Sequence, residues 1–185
     1  MAKEYSYYFL DEPIPETKIQ YKEQTQEIDK NISFGKSNVW IFQANPQRFD
    51  ILNALADEEM KEDVWLVSRY KDKIQKGDIG IVWMCGKDGG IYALTEIMSN
   101  PEFMGEPEVS AKYWMSAAEK NQIRLRVKLK YTLKMPDNPI FREELKSIPE
   151  LKDMVIFRQP QGTNFPVTQK EWKVISELLK ERFNV

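Results

Sequence analysis

Residues 79–98 read IGIVWMCGKDGGIYALTEIM, two apolar runs on either side of Lys87-Asp88-Gly89-Gly90. Ile79–Cys85 and Ile91–Met98 have the length and apolar content of strands, and the Asp-Gly pair between them favours a tight hairpin. Upstream, Val39-Trp40-Ile41-Phe42 and Val64-Trp65-Leu66-Val67 are two more buried-type strands. Asn45-Pro46 ends the first of these, and Phe49, Leu52, Leu55 and Ala56 then recur at helical spacing to about Met60. Downstream, Ser99–Val109 is irregular and holds Pro101 and Pro107. Residues 122–133 then alternate: Ile123, Leu125, Val127, Leu129 and Tyr131 point one way, and Arg124, Arg126, Lys128 and Lys130 the other. Period two over that length predicts a strand with one buried and one cationic face. Residues 139–153 predict one or two short helices split at Pro149. Thr168 caps a final amphipathic helix with Trp172, Ile175, Leu178, Leu179 and Phe183 as its stripe. About five or six strands and a few short helices, in mixed order without a βαβ rhythm, predict an α+β fold. Its sheet is mainly antiparallel and curved or barrel-like, flanked by helices.

The first 35 residues read as a separate extension packed on a main domain of residues 36–185. Tyr5-Ser6-Tyr7-Tyr8-Phe9-Leu10 predicts a short strand broken by Asp11-Glu12-Pro13-Ile14-Pro15, and residues 16–30 are polar. With 185 residues, 42% hydrophobic and 30% charged, the chain has the makings of one sizeable core and neither a disordered tail nor a coiled coil. No apolar run approaches the ~18 residues of a spanning helix, which predicts no membrane association, and the N-terminus lacks a secretory core. The single cysteine, Cys85, cannot form an internal disulfide, and the expectation is a reducing cytoplasm.

Histidine is absent, which removes Ser-His-Asp triads, Cys-His pairs and histidine-ligated zinc. Carboxylate chemistry stays possible, but no titratable constellation stands out, and neither catalysis nor a cofactor is expected. Gly86-Lys87-Asp88-Gly89-Gly90 fails as a phosphate loop, because Asp88 follows the lysine and no G-x-x-x-x-G precedes it. A net charge of −2 calls for no global polyanion binding, yet residues 112–134 carry seven basic residues and one acid. A local basic stripe on a slightly acidic chain suits a specific anionic ligand. Trp40, Trp65, Trp83, Tyr92, Tyr113 and Trp114 fall at strands or strand ends, where core packing is the ordinary role. Trp65 and the Tyr113-Trp114 pair differ, because each adjoins a charged or irregular segment where an aromatic can stack on a base.

The runs VWIFQANPQRFDI and DVWLVSRYKDKIQKGDIGIVWMCGKDGGIYALTEIM, then KYW before the basic strand, resemble the EVE domain of the PUA-like superfamily, to which the YTH readers of methylated adenine also belong. The C-terminal FRQPQG…PVT…W segment fits the same pattern, and the resemblance spans about residues 38–178. It implies a five- or six-stranded β-barrel with peripheral helices and an aromatic cage for a flipped, modified base. By position, Trp65 and Trp114 match the cage walls, with Tyr113 as an alternative wall. Asn45 and Asp50 match residues that bond the base edge. The Leu66 carbonyl takes the place of an acceptor for the exocyclic N–H, beside Ser68. Arg69, Lys71, Arg124, Arg126, Lys128, Lys130 and Arg158 are the expected phosphate contacts. The resemblance further implies a specificity module, similar to that of an archaeal McrB-type modification-dependent restriction system, reading 6-methyladenine in duplex DNA beside an AAA+ GTPase domain and a nuclease subunit. A PUA-like module reading a modified RNA base, or a non-catalytic interaction domain, are the other two expectations.

Overall fold

The computed structural model describes residues 37–120 and 122–183. The expected N-terminal extension and its strand lie outside the described residues. In chain order the elements are β1 (Val39–Ala44), α1 (Ile51–Ala56), β2 (Glu62–Leu66), β3 (Ile79–Met84), β4 (Gly90–Ile97) and β5 (Glu102–Met104). There follow α2 (Glu108–Ala111), α3 (Ala117–Lys120), β6 (Arg124–Lys134), β7 (Ile140–Phe141), α4 (Arg142–Ser147), α5 (Val155–Arg158), β8 (Asn164–Val167) and α6 (Gln169–Phe183).

One sheet runs β2-β6-β4-β3-β1-β8, with β5 added to β6 and β7 to β4. Every pairing is antiparallel except β1 with β3. The expected mainly antiparallel α+β architecture is what forms. Register shifts at Val82/Trp83 and Leu94/Thr95 add twist at mid-sheet. The sheet curls until its outermost strands, β2 and β8, approach each other. Asn164 on β8 bridges that seam: its Nδ2 donates to the Leu66 carbonyl at 2.9 Å, and its Oδ1 accepts from the Ser68 N–H at 2.9 Å. A wholly buried side-chain amide thus stands in for ladder bonds.

Both faces of the central strands are covered, which explains their unbroken apolar runs. Val39, Ile41, Ile81 and Trp83 face a core closed by Trp172, Ile175 and Leu179 of α6. Trp40, Phe42, Val82 and Met84 face a second core, closed in part by Ile51 and Leu55 of α1. Thr168 and Glu171 start α6 with a reciprocal cap: the Glu171 N–H donates to Thr168 Oγ1 at 3.3 Å, and the Thr168 N–H to Glu171 Oε2 at 2.7 Å.

Several local expectations change. The β3–β4 connection is longer than a two-residue turn, with Gly86 at φ 100°, and Gly90 has no room for a side chain because the Ile140 carbonyl of β7 presses against it. Residues 139–153 give a two-residue strand and one helix, α4, while α5 begins after them. β8 is absent from the sequence reading because Pro166 argues against a strand. It is tolerated at the sheet edge, opposite Trp40, where no outward donor is needed.

Candidate functional site

A cavity of about 250 Å³ opens where β1 and β3 end, beside β2 and the start of β6. Two short loops frame it. Residues 45–50 and 113–115 form a small ladder, in which the Asp50 N–H donates to the Tyr113 carbonyl at 2.8 Å and the Met115 N–H to the Arg48 carbonyl at 2.9 Å. That ladder holds Trp114 against the cavity, with its ring edge-on to Phe49 at 5.2 Å. On β2, Trp65 lines the cavity and packs edge-on to Phe42 at 6.3 Å. Asn45 and Arg48 are exposed at the rim. Opposite them, Gln43 Nε2 fixes the loop before β8 by donating to the Pro160 and Gly162 carbonyls at 3.2 and 3.0 Å.

Six of the sequence-selected residues meet here: Trp65, Trp114, Asn45, Leu66, Arg124 and Arg126. The others lie elsewhere, and several of the full set, Asn45 and Leu66 included, already have partners. Tyr113 donates its hydroxyl to Asp57 Oδ2 at 2.7 Å, so it braces the loop behind Trp114. Asp50 is the N-cap of α1, accepting from the Asn53 N–H at 3.3 Å and from Asn53 Nδ2 at 2.6 Å. Asn45 Oδ1 accepts from the Gln47 N–H at 2.9 Å. The Leu66 carbonyl accepts from Asn164, and the Ser68 hydroxyl bonds Thr163 Oγ1. Arg69, Lys71, Lys128 and Arg158 are exposed, Lys130 is half-buried, and none of them lines the cavity. Arg69 reaches the rim, because its guanidinium lies against Gly162.

The basic strand departs most from expectation. Arg126 is not on a solvated face: it is 3% exposed and paired with Glu106, whose side chain is 2% exposed. Ile123, expected to point inward, is 73% exposed. The added strand β5, opposite Arg124–Arg126, and the chain leading into α2 cover this end of β6. Ser110 Oγ donates to Glu106 Oε1 at 3.1 Å, which ties the pair to α2.

Asp63, Glu106, Arg48, Gln43, Cys85 and Thr163 also line the cavity, and sequence reasoning did not select them. For Asp63 the signal was present, since period two puts it on the same face of β2 as Trp65 and Val67. Burial pushes the Asp63 carboxyl up to about 6, against the opposing pull of the Val64 N–H at 2.8 Å, the Tyr131 hydroxyl at 3.4 Å and the Arg126 charge. Burial also lowers the Arg126 guanidinium from its ordinary value. By contrast Asp57, half-buried, is held well below the carboxylate range by Lys112 and by Tyr113. Among the described residues no cluster of His, Cys, Asp and Glu could hold a metal, and no helix is long and apolar enough to cross a membrane. The site therefore offers two indoles, buried polar groups and arginines at its rim, an arrangement with the chemistry to receive a flat, polar, partly apolar molecule.

The sequence profile of the EVE domain matches residues 38–178. The chain belongs to the EVE domain family. Solved structures of similar fold include a hypothetical protein from Leishmania major, with a TM-score of 0.56 at 21% identity, covering 80% of this chain and 97% of that one. Human THYN1, solved in complex with DNA containing 5-methylcytosine, has a TM-score of 0.54 at 21% identity over 77% of this chain and 97% of its own. Rpa0253 from Rhodopseudomonas palustris has a TM-score of 0.54 at 19% identity, over 76% of this chain and 92% of that one. Identities at this level carry the fold alone. No curated protein matches this EVE domain.

Proposed function

We propose that this EVE domain is a binding module for DNA bearing a modified base, which it extrudes from the duplex into the cavity beside Trp65 and Trp114. The observation that carries the reading is the cavity itself. Its 250 Å³ exceeds the ~150 Å³ that suffices for benzene, which is volume enough for one nucleobase. Flipping a base costs a few kcal/mol, and stacking on two aromatic faces offsets that at about 1–3 kcal/mol each. The methyl group adds only ~0.8 kcal/mol by burial, so strong discrimination needs a close apolar fit around it. Exposed Arg69, Lys71, Lys128 and Arg158, with Arg124 at the cavity, would meet the flanking phosphates and position the strand without reading it.

The base we favour is 6-methyladenine, and the setting is a modification-dependent restriction complex whose GTPase and nuclease chemistry lies on other domains or subunits. Both follow from the motif resemblance. The complex of human THYN1 with DNA containing 5-methylcytosine favours that base as a second reading. A titration panel decides: duplexes with 6-methyladenine, 5-methylcytosine, 5-hydroxymethylcytosine or no modification, and an RNA carrying 6-methyladenosine. At least a tenfold preference for one modified duplex is expected. That duplex should also slow alkylation of Cys85, the single cysteine, which lines the cavity. Equal affinity for all duplexes rejects the reading, and preference for the RNA redirects it.

A further inference from the structure

Among the described residues, the buried side-chain nitrogens and oxygens without a hydrogen-bond partner are Trp65 Nε1, Trp114 Nε1 and Arg126 Nε. All belong to residues that line the cavity. All are N–H groups, which donate and cannot accept. The acceptors of the wall, the Asp63 and Glu106 carboxylates among them, do not reach these three N–H groups, so a ligand acceptor brought against them would satisfy them.

Arg126 is the most constrained of the group. One terminal nitrogen of its guanidinium is paired with Glu106 and the other donates to the Gln122 carbonyl at 3.4 Å, which leaves Nε. Lys128, two residues further along the same face of β6, is exposed. Arg126 is instead desolvated, and a buried ion pair is a weak source of stability because desolvation offsets the attraction. Glu106, itself anchored by Ser110, fixes the guanidinium and leaves its Nε edge unsatisfied.

We propose that Arg126 is a base-reading residue: its Nε–H donates to an acceptor on the edge of the flipped base, a ring nitrogen or carbonyl oxygen, while Glu106 and Ser110 hold it in place. This rests on the base-pocket reading above. It moves Arg126 from the phosphate contacts expected from sequence to the determinants of specificity. The preferred base carries an acceptor at one defined position, and an analogue with C–H at that position is rejected.

The test uses the whole chain and duplexes carrying 6-methyladenine or its 1-deaza, 3-deaza and 7-deaza analogues, each lacking one ring nitrogen. If the panel selects 5-methylcytosine, its 3-deaza counterpart is used, with the 2-carbonyl deleted in a second analogue. One analogue should bind about 10- to 100-fold more weakly, the expected loss for a hydrogen bond to a charged group. Arg126→Lys keeps a cation beside Glu106 but moves the donor, so it should weaken the parent duplex by a similar factor and no longer distinguish that analogue. The paired variant Arg126→Met with Glu106→Gln removes both charges, so neither is left buried without its counter-ion. It should show the same loss of discrimination with the salt slope of the parent protein. A flat analogue series on the unaltered protein overturns the proposal. So does a paired variant that weakens all duplexes equally and lowers the salt slope by about 0.9, since that is the signature of a phosphate contact. No preference among the parent duplexes would instead remove the base-pocket reading itself.

Discussion

The two faces of the sheet carry tryptophans in similar surroundings of sequence and use them differently. On one face α6 closes the core, with Trp172 at 3% exposure and Trp83 edge-on to Phe157 at 5.9 Å. On the other, α1 covers only part of the surface, and the remainder is the cavity lined by Trp65 and Trp114. Trp40 shows the contrast within that second face. Its N–H donates to Asp78 Oδ2 at 2.8 Å, whereas those of Trp65 and Trp114 find no partner. A strand tryptophan takes its role from what lies over it and from whether its N–H is satisfied.

The largest expected effect breaks the closed face. Trp172→Ala leaves a void in a filled core and should cost about 3–5 kcal/mol, a fall in Tm on the order of 10 °C, without changing the ratio of modified to plain affinity in the folded fraction. Calorimetry and titration on one preparation check both halves.

Asp63 tests the open face through pH. Its carboxyl titrates at about 6 when folded and near 3.9 when unfolded, so the folded chain holds the proton more tightly. The stability this gives is complete below about pH 4 and lost as pH rises through about 6. Melting curves from pH 4 to 7 should show that decline, and Asp63→Asn should flatten it. An unchanged slope would place the carboxyl in solvent contact.

Trp114→Ala sharpens the comparison from the other side. Losing one stacking face should weaken the modified duplex by about 1–3 kcal/mol, roughly ten- to a hundredfold, with a much smaller change in Tm than Trp172→Ala. Trp65 is a less clean probe, since it also packs against Phe42. A Trp114 variant that melts early and binds normally would make both faces ordinary core. The smallest effect belongs to the rim. Arg124→Ala with Lys128→Ala should weaken all duplexes alike and lower the salt slope by about 0.9 for each lost phosphate contact, leaving selectivity untouched.

Much of the fold was legible because period-two alternation and unbroken apolar runs report burial directly. β1, β3, β4 and β6 follow from them, and α6 follows from the Thr168 cap and its apolar stripe. The cavity was legible in its walls only. Trp65 and Trp114 line it, but the expected base-edge groups divide: Asn45 reaches the rim, while Asp50 caps α1. Asp50 belongs to a residue type that serves as helix cap and as ligand contact alike, and local sequence does not separate the two. Arg126 shares its alternation with Lys128, so nothing local marks it as buried. β5 and the Glu106 segment, placed over it by long-range pairing, decide that.

Sequence by itself determined the family, the strands β1, β2, β3, β4 and β6, the terminal helix and which aromatics stand beside charged segments, because these are properties of short stretches and their spacing. Only the tertiary structure decided that the sheet curls to a seam held by Asn164, that one face stays partly uncovered, and that Arg126 is enclosed with its Nε unsatisfied. Those features arise where segments distant in the chain meet, and the desolvation that gives Arg126 and Asp63 their character exists only once they have met.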